Sequence, residues 1–332
     1  MNIDRYVTAF NDPRRPGAAV VVARANETLI RAGFGAADLE AGAPVTPRTN
    51  FRLASLSKAF TSAAVLVLLR RGGFLLETPL TDALPSFPSY GRTIRIHHLL
   101  THTSGLLDYE DFVPDDLPHQ VTDADVLELM RTKTNATYFA PGHAFRYSNT
   151  AFALLALIVA RYSGQSYGTF LDQAVFQPAG LQDTVAHEAR FTTVNHRAYG
   201  YTVTRLGIQR TDQNPTSAVL GDGGIYSSID DMLRWVRALE HHAVLTPDEW
   251  DRATTNASLA NGTPSGVGYG WFIDVHHGHR RLRHHGETVG FTNAIAIYPD
   301  DALSIVVLTN RSDAAPWIIR DRIAEDVFAD DR

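Results

Sequence analysis

Strand-like patterns gather at the two ends of this chain and thin out between them, and that distribution limits the fold more than any single motif. Residues 17–37 read as a hairpin: Ala18-Ala19-Val20-Val21-Val22-Ala23 is β-rich, Asn26-Glu27 turns, and Thr28-Leu29-Ile30 begins the return. Four more strand-like runs come late, at 270–275, 280–285, 293–298 and 303–309. After the first hairpin, 55–71 is expected to be a helix, because Phe60, Ala63, Ala64, Val67 and Leu68 recur at helical spacing and Gly72-Gly73 ends the run. It is apolar on most sides, which places it in the middle of the molecule. Helices are expected at 96–100, 124–131, 150–162 and 167–175, then at 230–241 behind the caps Ser227-Ser228, and finally at 315–328. Strands at both ends, helices between and a helix last imply an α+β fold: an antiparallel sheet flanked by helices, with a mostly helical domain inserted. The expected division is 1–78 plus 213–332 for the sheet domain and 79–212 for the insertion, in keeping with 332 residues.

Composition removes several classes of function. Net charge is −6 with no basic run, so no nucleic-acid partner is expected. The absence of cysteine excludes disulfides, thiolate metal sites and a cysteine nucleophile. The longest uncharged apolar stretch, 150–160, stops at Arg161, well short of the roughly 20 residues a membrane span needs. Residues 1–10 hold no basic segment followed by an apolar run, so a cytoplasmic location is expected.

Only two of the 30 basic residues are lysine, Lys58 and Lys133. Arginine stays protonated, whereas a buried lysine can lose its proton and serve as a base. Lys133 sits among Arg131, Thr132 and Thr134 and reads as surface. Lys58 lies in Ser55-Leu56-Ser57-Lys58, at the start of the expected central helix. Positions i and i+3 share a helix face, so the Ser55 hydroxyl can meet the Lys58 amine, the pairing of an activated nucleophile. Two further elements could face one pocket. Tyr147-Ser148-Asn149 precedes an apolar helix and offers a phenol and an amide. His284-His285-Gly286 lies on an expected strand, where alternation puts His284 and Gly286 on one face and Arg283 and His285 on the other.

In this order, the three elements resemble the sites of the serine β-lactamase and penicillin-binding protein superfamily. The chain is most similar to the class C β-lactamase-like branch, which includes family VIII esterases, D-aminopeptidases and DD-carboxypeptidases. Ile96 to Leu100, Ser104-Gly105-Leu106, Pro178 to Thr184, Gly223 to Ser228 and Gly286 to Phe291 extend the likeness along the chain. The resemblance implies Ser55 as nucleophile, Lys58 as its base or proton relay, and Tyr147 as the group that protonates the leaving group and activates the deacylating water. It implies that Asn149 holds the substrate carbonyl, that His284 takes the strand position of a lysine, and that the Ser55 and Glu287 backbone N–H groups form the oxyanion hole beside Gly286.

With His284 in place of lysine, and His285 in place of the hydroxyl residue that often follows, the site is expected to favour esters or small amides and peptides over β-lactams. An imidazole near its reference pKa of about 6.5 would gain affinity for carboxylates as pH falls through that value. The rival readings are a β-lactamase or DD-carboxypeptidase, and a binding or sensory module for penicillin or cell-wall fragments. His276, His277, His279, His284 and His285 lie within ten residues, and His97, His98 and His102 within six. The first tract reads as an exposed hairpin turn, and neither a metal nor an organic cofactor is expected. Asp108, Glu110, Asp111, Asp115 and Asp116 read as a solvated acidic loop.

Overall fold

In the computed structural model, which describes residues 3–134, 137–188 and 191–330, the two ends of the chain meet in one sheet. Strands β1 (Ala18–Arg24) and β2 (Glu27–Phe34) join β3 (Phe272–His276), β4 (His279–Thr288), β5 (Phe291–Tyr298) and β6 (Leu303–Thr309). The spatial order is β3-β4-β5-β6-β1-β2, with every neighbour antiparallel. The contact between β1 and β6 closes the loop from start to end, with Val20 opposite Val307. β5 and β6 are buried at every position and β1 at all but its last, so they appear in the sequence as continuous apolar runs rather than alternating ones.

Alternation divides these strands between two cores. Ala19, Val21, Ile295, Val306 and Leu308 face one side, while Ala18, Val20, Val22, Ala296, Ile305 and Val307 face the other. The first side is covered by helix α1 (Ser57–Arg70), which is buried continuously from Ser57 to Leu68. Helices α2 (Ile96–Leu100), α3 (Asp123–Arg131) and α4 (Asn149–Ser163) follow, and α4 lies against α1. Close approach continues at Gly221, where a Cβ would stand 2.2 Å from the Phe152 carbonyl oxygen in α4. Helix α5 (Ile229–Glu240) adds Met232, Trp235 and Val236 to the same core, and Ser228 caps it by accepting from the Asp231 N–H. The second side is covered by α6 (Pro316–Ala329) through Ile323, Val327 and Phe328.

Three local features differ from the sequence reading. Ser55 lies not in α1 but in a tighter 3₁₀ turn, Ala54–Leu56, which delivers the chain into the helix. The expected helix at 167–175 is α-helical over Tyr167–Leu171 and widens into a π-type turn over Asp172–Phe176. Short strands also occur where helices were expected to dominate. Val185–Ala186 pairs with Ile225–Ser227, which pairs in turn with Phe51–Arg52, and Tyr201–Thr204 forms a hairpin with Gly207–Arg210. Strands of two to four residues are too short to show a period in sequence.

Candidate active site

The approach to Ser55 is fixed from both sides. Phe51–Arg52 pairs with Ile225–Ser227, and the Leu53 N–H donates to the Ile225 carbonyl at 2.8 Å. Ala54 then adopts φ of +50°, a left-handed conformation costly for a residue with a Cβ, on the order of 1–3 kcal/mol. That turn lifts Ser55 out of the helix and leaves Lys58 beneath it.

Lys58 is fully buried. Its Nζ donates to Ser55 Oγ at 3.0 Å, to Asn149 Oδ1 at 2.8 Å and to the Asp222 carbonyl at 2.9 Å. An ammonium has three N–H groups, and these contacts use all of them. The same nitrogen stands 4.9 Å from the centre of the Tyr147 ring and 5.6 Å from that of Phe152.

Tyr147 and Asn149 are held by their backbones. The Ser148 N–H donates to His102 Nδ1 at 3.0 Å, and the Asn149 N–H donates to Asp108 Oδ2 at 2.9 Å. His102, itself at φ of +55°, stacks on the Tyr147 ring with centroids 4.4 Å apart. Burial, with Lys58 nearby, pulls the His102 pKa down to about 3, so it works as a neutral acceptor and a flat support. The Tyr147 hydroxyl is buried beside the Lys58 amine and the Ser55 hydroxyl. Burial raises its pKa, and Lys58 and Ser55 pull against that rise.

On β4, His284 and Gly286 are buried while His285 and Glu287 are exposed, as alternation requires. A Cβ on Gly286 would lie 2.1 Å from the Leu53 carbonyl oxygen, so its absence lets the strand lie against the Ser55 turn. Asn293, opposite Gly286, ties the same elements together by donating from Nδ2 to the Arg52 carbonyl at 2.9 Å. Arg283 is turned away from the cavity onto Asp274, at 2.7 Å.

His284 departs from expectation. Its Nδ1 lies 2.6 Å from the His285 carbonyl, which can only accept, so Nδ1 carries the proton and Nε2 presents a lone pair. That Nε2 is buried and has no hydrogen-bond partner among the described residues. Burial, reinforced by Lys58, holds the His284 pKa well below the ordinary histidine value, so it does not titrate near 6.5. The expected rise in carboxylate affinity through that pH is therefore withdrawn.

A cavity of about 70 Å³ is lined by Arg52, Ser55, Asn149, Tyr109, Glu110, Asp222 and Glu287 among others. Its floor is acidic. Burial pushes the Asp222 carboxyl up to about 7 against the pull of Lys58, and the Tyr109 hydroxyl donates to it at 2.9 Å. Burial, followed by Asp222 and Asp108, pushes Glu110 up to about 7, although part of that residue reaches solvent. Asp108 is raised by burial as well. So Asp108 and Glu110, two members of the expected surface loop, reach the site, Glu110 while still exposed, and Asp111, Asp115 and Asp116 are exposed as expected. The sequence reading missed Asp222, His102 and Asn293. A carboxylate directly before Gly223-Gly224 was the visible signal for the first.

The histidines at 97, 98 and 102 do not converge on one point. His98 accepts from the Arg95 N–H at 3.0 Å, and His97 faces Glu77 at 3.1 Å.

A serine on a tight turn and a lysine on the buried helix it leads into, in hydrogen-bond contact beside an antiparallel sheet, are the working parts of a serine hydrolase, and the protein is one. More narrowly, the chain belongs to the beta-lactamase family, whose model matches residues 3–327. It is 34% identical over 295 residues to esterase EstB of Burkholderia gladioli, covering 78% of this chain and 73% of that one. It is 28% identical over 314 residues to a D-aminopeptidase of Gluconobacter oxydans, covering 90% of this chain but only 57% of the relative. Among solved structures, a penicillin-binding protein from Bacillus halodurans superposes with a TM-score of 0.82 at 28% identity, covering 92% and 94% of the two chains.

Proposed function

We propose that this serine hydrolase cleaves small esters and amides through an acyl-enzyme on Ser55, and that it favours substrates that donate hydrogen bonds or carry positive charge. The Lys58 Nζ to Ser55 Oγ contact of 3.0 Å carries the first part. As Ser55 Oγ attacks the substrate carbonyl, its proton passes to Lys58 in those molecules whose amine has first released a proton. The carbonyl oxygen takes up the electron pair and is held by the backbone N–H groups of Ser55 and Glu287, while the Asn149 amide orients the acyl part. Collapse expels the alcohol or amine, which takes a proton from the Tyr147 hydroxyl. Lys58 returns its proton to Tyr147; in deacylation Tyr147 passes that proton back to Lys58 as it withdraws one from the attacking water, and a proton returns to Ser55 Oγ as the acid leaves.

The preference rests on the lining. Glu110 and Asp222 present acceptors in the cavity, and His284 Nε2 presents one on the adjoining strand, while the cation of the lining, Arg52, is turned onto the Ser217 and Gly223 carbonyls and the Ser217 hydroxyl. An ester or amide bearing a free amine meets complementary charge there.

The test is intact mass after incubation with p-nitrophenyl esters, D-amino acid amides and penicillins, with turnover followed in parallel. Transient acylation of wild type, none in Ser55→Ala, and better kcat/KM for amine-bearing than for carboxylate-bearing substrates support the reading. Stable acylation by penicillin with negligible ester turnover would instead make the protein a penicillin binder.

A further inference from the structure

At the tip of the β3–β4 hairpin, on the side of the sheet covered by α6, two histidines and a glutamate converge. His276 ends β3 and pairs with His279 of β4, and His277-Gly278 make the turn between them. Both turn residues have positive φ, +52° and +89°, as a tight two-residue hairpin of this hand requires. His277 reaches α6, where its Nε2 lies 3.1 Å from Glu325 Oε1. The His276 ring stands edge-on to His277 with centroids 4.5 Å apart, and the Tyr298 hydroxyl engages its Nδ1 at 2.9 Å. One ligand atom from each of His276, His277 and Glu325 falls within 4.8 Å of the other two.

We propose that His276, His277 and Glu325 bind a divalent cation of the zinc type. Two imidazoles and one carboxylate form a donor set that zinc accepts, with water completing the tetrahedron. Ligand atoms about 2.0–2.1 Å from zinc at tetrahedral angles stand roughly 3.3 Å from one another. The 3.1 Å between His277 and Glu325 is close to that edge length, so an ion can replace their mutual hydrogen bond with little movement. Tyr298 supplies the outer hydrogen-bond partner that commonly orients a metal-bound imidazole. His279 stays outside the set, because Asp301 holds it at 2.9 Å and its ring lies on Phe328 at 3.7 Å. Arg281, a neighbouring cation, is neutralised by Asp274 at 2.8 Å and Asp321 at 2.9 Å. The bound ion clips the hairpin to the C-terminal helix. Because β4 runs from this turn to His284 and Gly286, the clip braces a wall of the catalytic cavity from a distance.

Calorimetric titration of tag-free protein with zinc chloride tests this. One ion per chain is expected, together with a rise in melting temperature of roughly 3–5 °C at a hundredfold excess over Kd. His277→Asn keeps a residue that tolerates the left-handed turn while removing the imidazole, and Glu325→Gln removes the carboxylate. Each should weaken binding by about tenfold or more and cut the thermal shift to about half or less at the same zinc concentration. Hydrolysis of p-nitrophenyl acetate without added metal should stay at the wild-type rate in both. No uptake at millimolar zinc overturns the proposal. Equal uptake by wild type and both variants overturns it too, by placing the ion on other histidines.

Discussion

Gly286→Ala puts the packing of the site to its sharpest test. The added Cβ would stand 2.1 Å from the Leu53 carbonyl oxygen, about 0.9 Å inside the 3.0 Å that Cβ atoms keep from other heavy atoms. Leu56 Cδ1 at 3.1 Å and Ala54 Cβ at 3.3 Å close the sideways escape. The closest partner is backbone, held by the Leu53 N–H bond to Ile225. Relief must therefore come from β4 backing away from the Ser55 turn by nearly 1 Å, against the Asn293 hydrogen bond to Arg52. Overpacking of this kind costs roughly 1–3 kcal/mol of stability. The Glu287 N–H moves with the strand, and a displacement of about 1 Å at a reacting centre can lower the rate on the order of 10²-fold, or about 2.7 kcal/mol. Steady-state hydrolysis of p-nitrophenyl acetate gives the rate, and a thermal melt gives the stability. Gly223→Ala is the matched control, since its Cβ would meet Ala54 at 3.7 Å, an ordinary contact, and its melt should hardly move. Wild-type kcat/KM and an unshifted melt in Gly286→Ala would refute the reasoning, because the strand could not then be pressed against the turn.

Ser55→Ala should abolish acylation seen by intact mass while leaving the melting temperature within a degree or so, since the hydroxyl contributes one hydrogen bond at 3.0 Å. Tyr147→Phe should lose activity on the order of 10²–10⁴-fold while the melting temperature changes little, because the ring and its stacking on His102 are kept; a strongly destabilised variant would give the hydroxyl a structural role instead. From pH 6 to 8, as Glu110 and Asp222 ionise near 7, KM for an amine-bearing substrate should fall and KM for a carboxylate-bearing one should rise, with no contribution from His284, which stays neutral. Asp222→Asn should gain stability relative to wild type as pH rises from about 4 to 8. The Asp222 pKa is raised on folding, so the folded state holds its proton longer than the unfolded one and loses stability across that window; a melting difference that does not depend on pH would contradict this.

Most parts of the fold that were legible in sequence are those whose burial leaves a periodic or continuous apolar trace. The six long strands and α1, α4 and α5 fall within a few residues of their expected places; β1, β5, β6 and the three helices bury apolar runs or stripes, while β2, β3 and β4, less buried, are marked by the turns between them. What escaped has no such trace. The strand Ile225–Ser227 gains its meaning from pairing with Phe51–Arg52, some 170 residues away, and nothing local announces that partnership. The same holds within the site. Ser55, Lys58, Tyr147, Asn149, His284 and Gly286 stand in recognisable local patterns. Asp222 and Asn293 act on backbone and lysine groups brought to them only by folding.

Electrostatics was the least legible layer, and His284 shows why. In sequence it is an imidazole with a reference pKa, and replacing a lysine it looks like a cation that switches on in mild acid. In the fold it is sealed between Phe272 and Tyr147, with ring centroids 5.2 Å and 6.2 Å away, and it faces the field of Lys58. Both effects oppose a second positive charge, and the His285 carbonyl fixes which nitrogen keeps the proton. Glu110 shows the converse: an acid placed by sequence in a solvated loop is pushed toward neutrality by burial and by Asp222 and Asp108. At neutral pH the cavity therefore pairs a fixed lone pair with carboxyls poised near their titration point. Carboxyls in that state lose their charge below neutral pH and gain it above, so discrimination between cationic and neutral substrates should sharpen with rising pH, through the acids rather than the histidine.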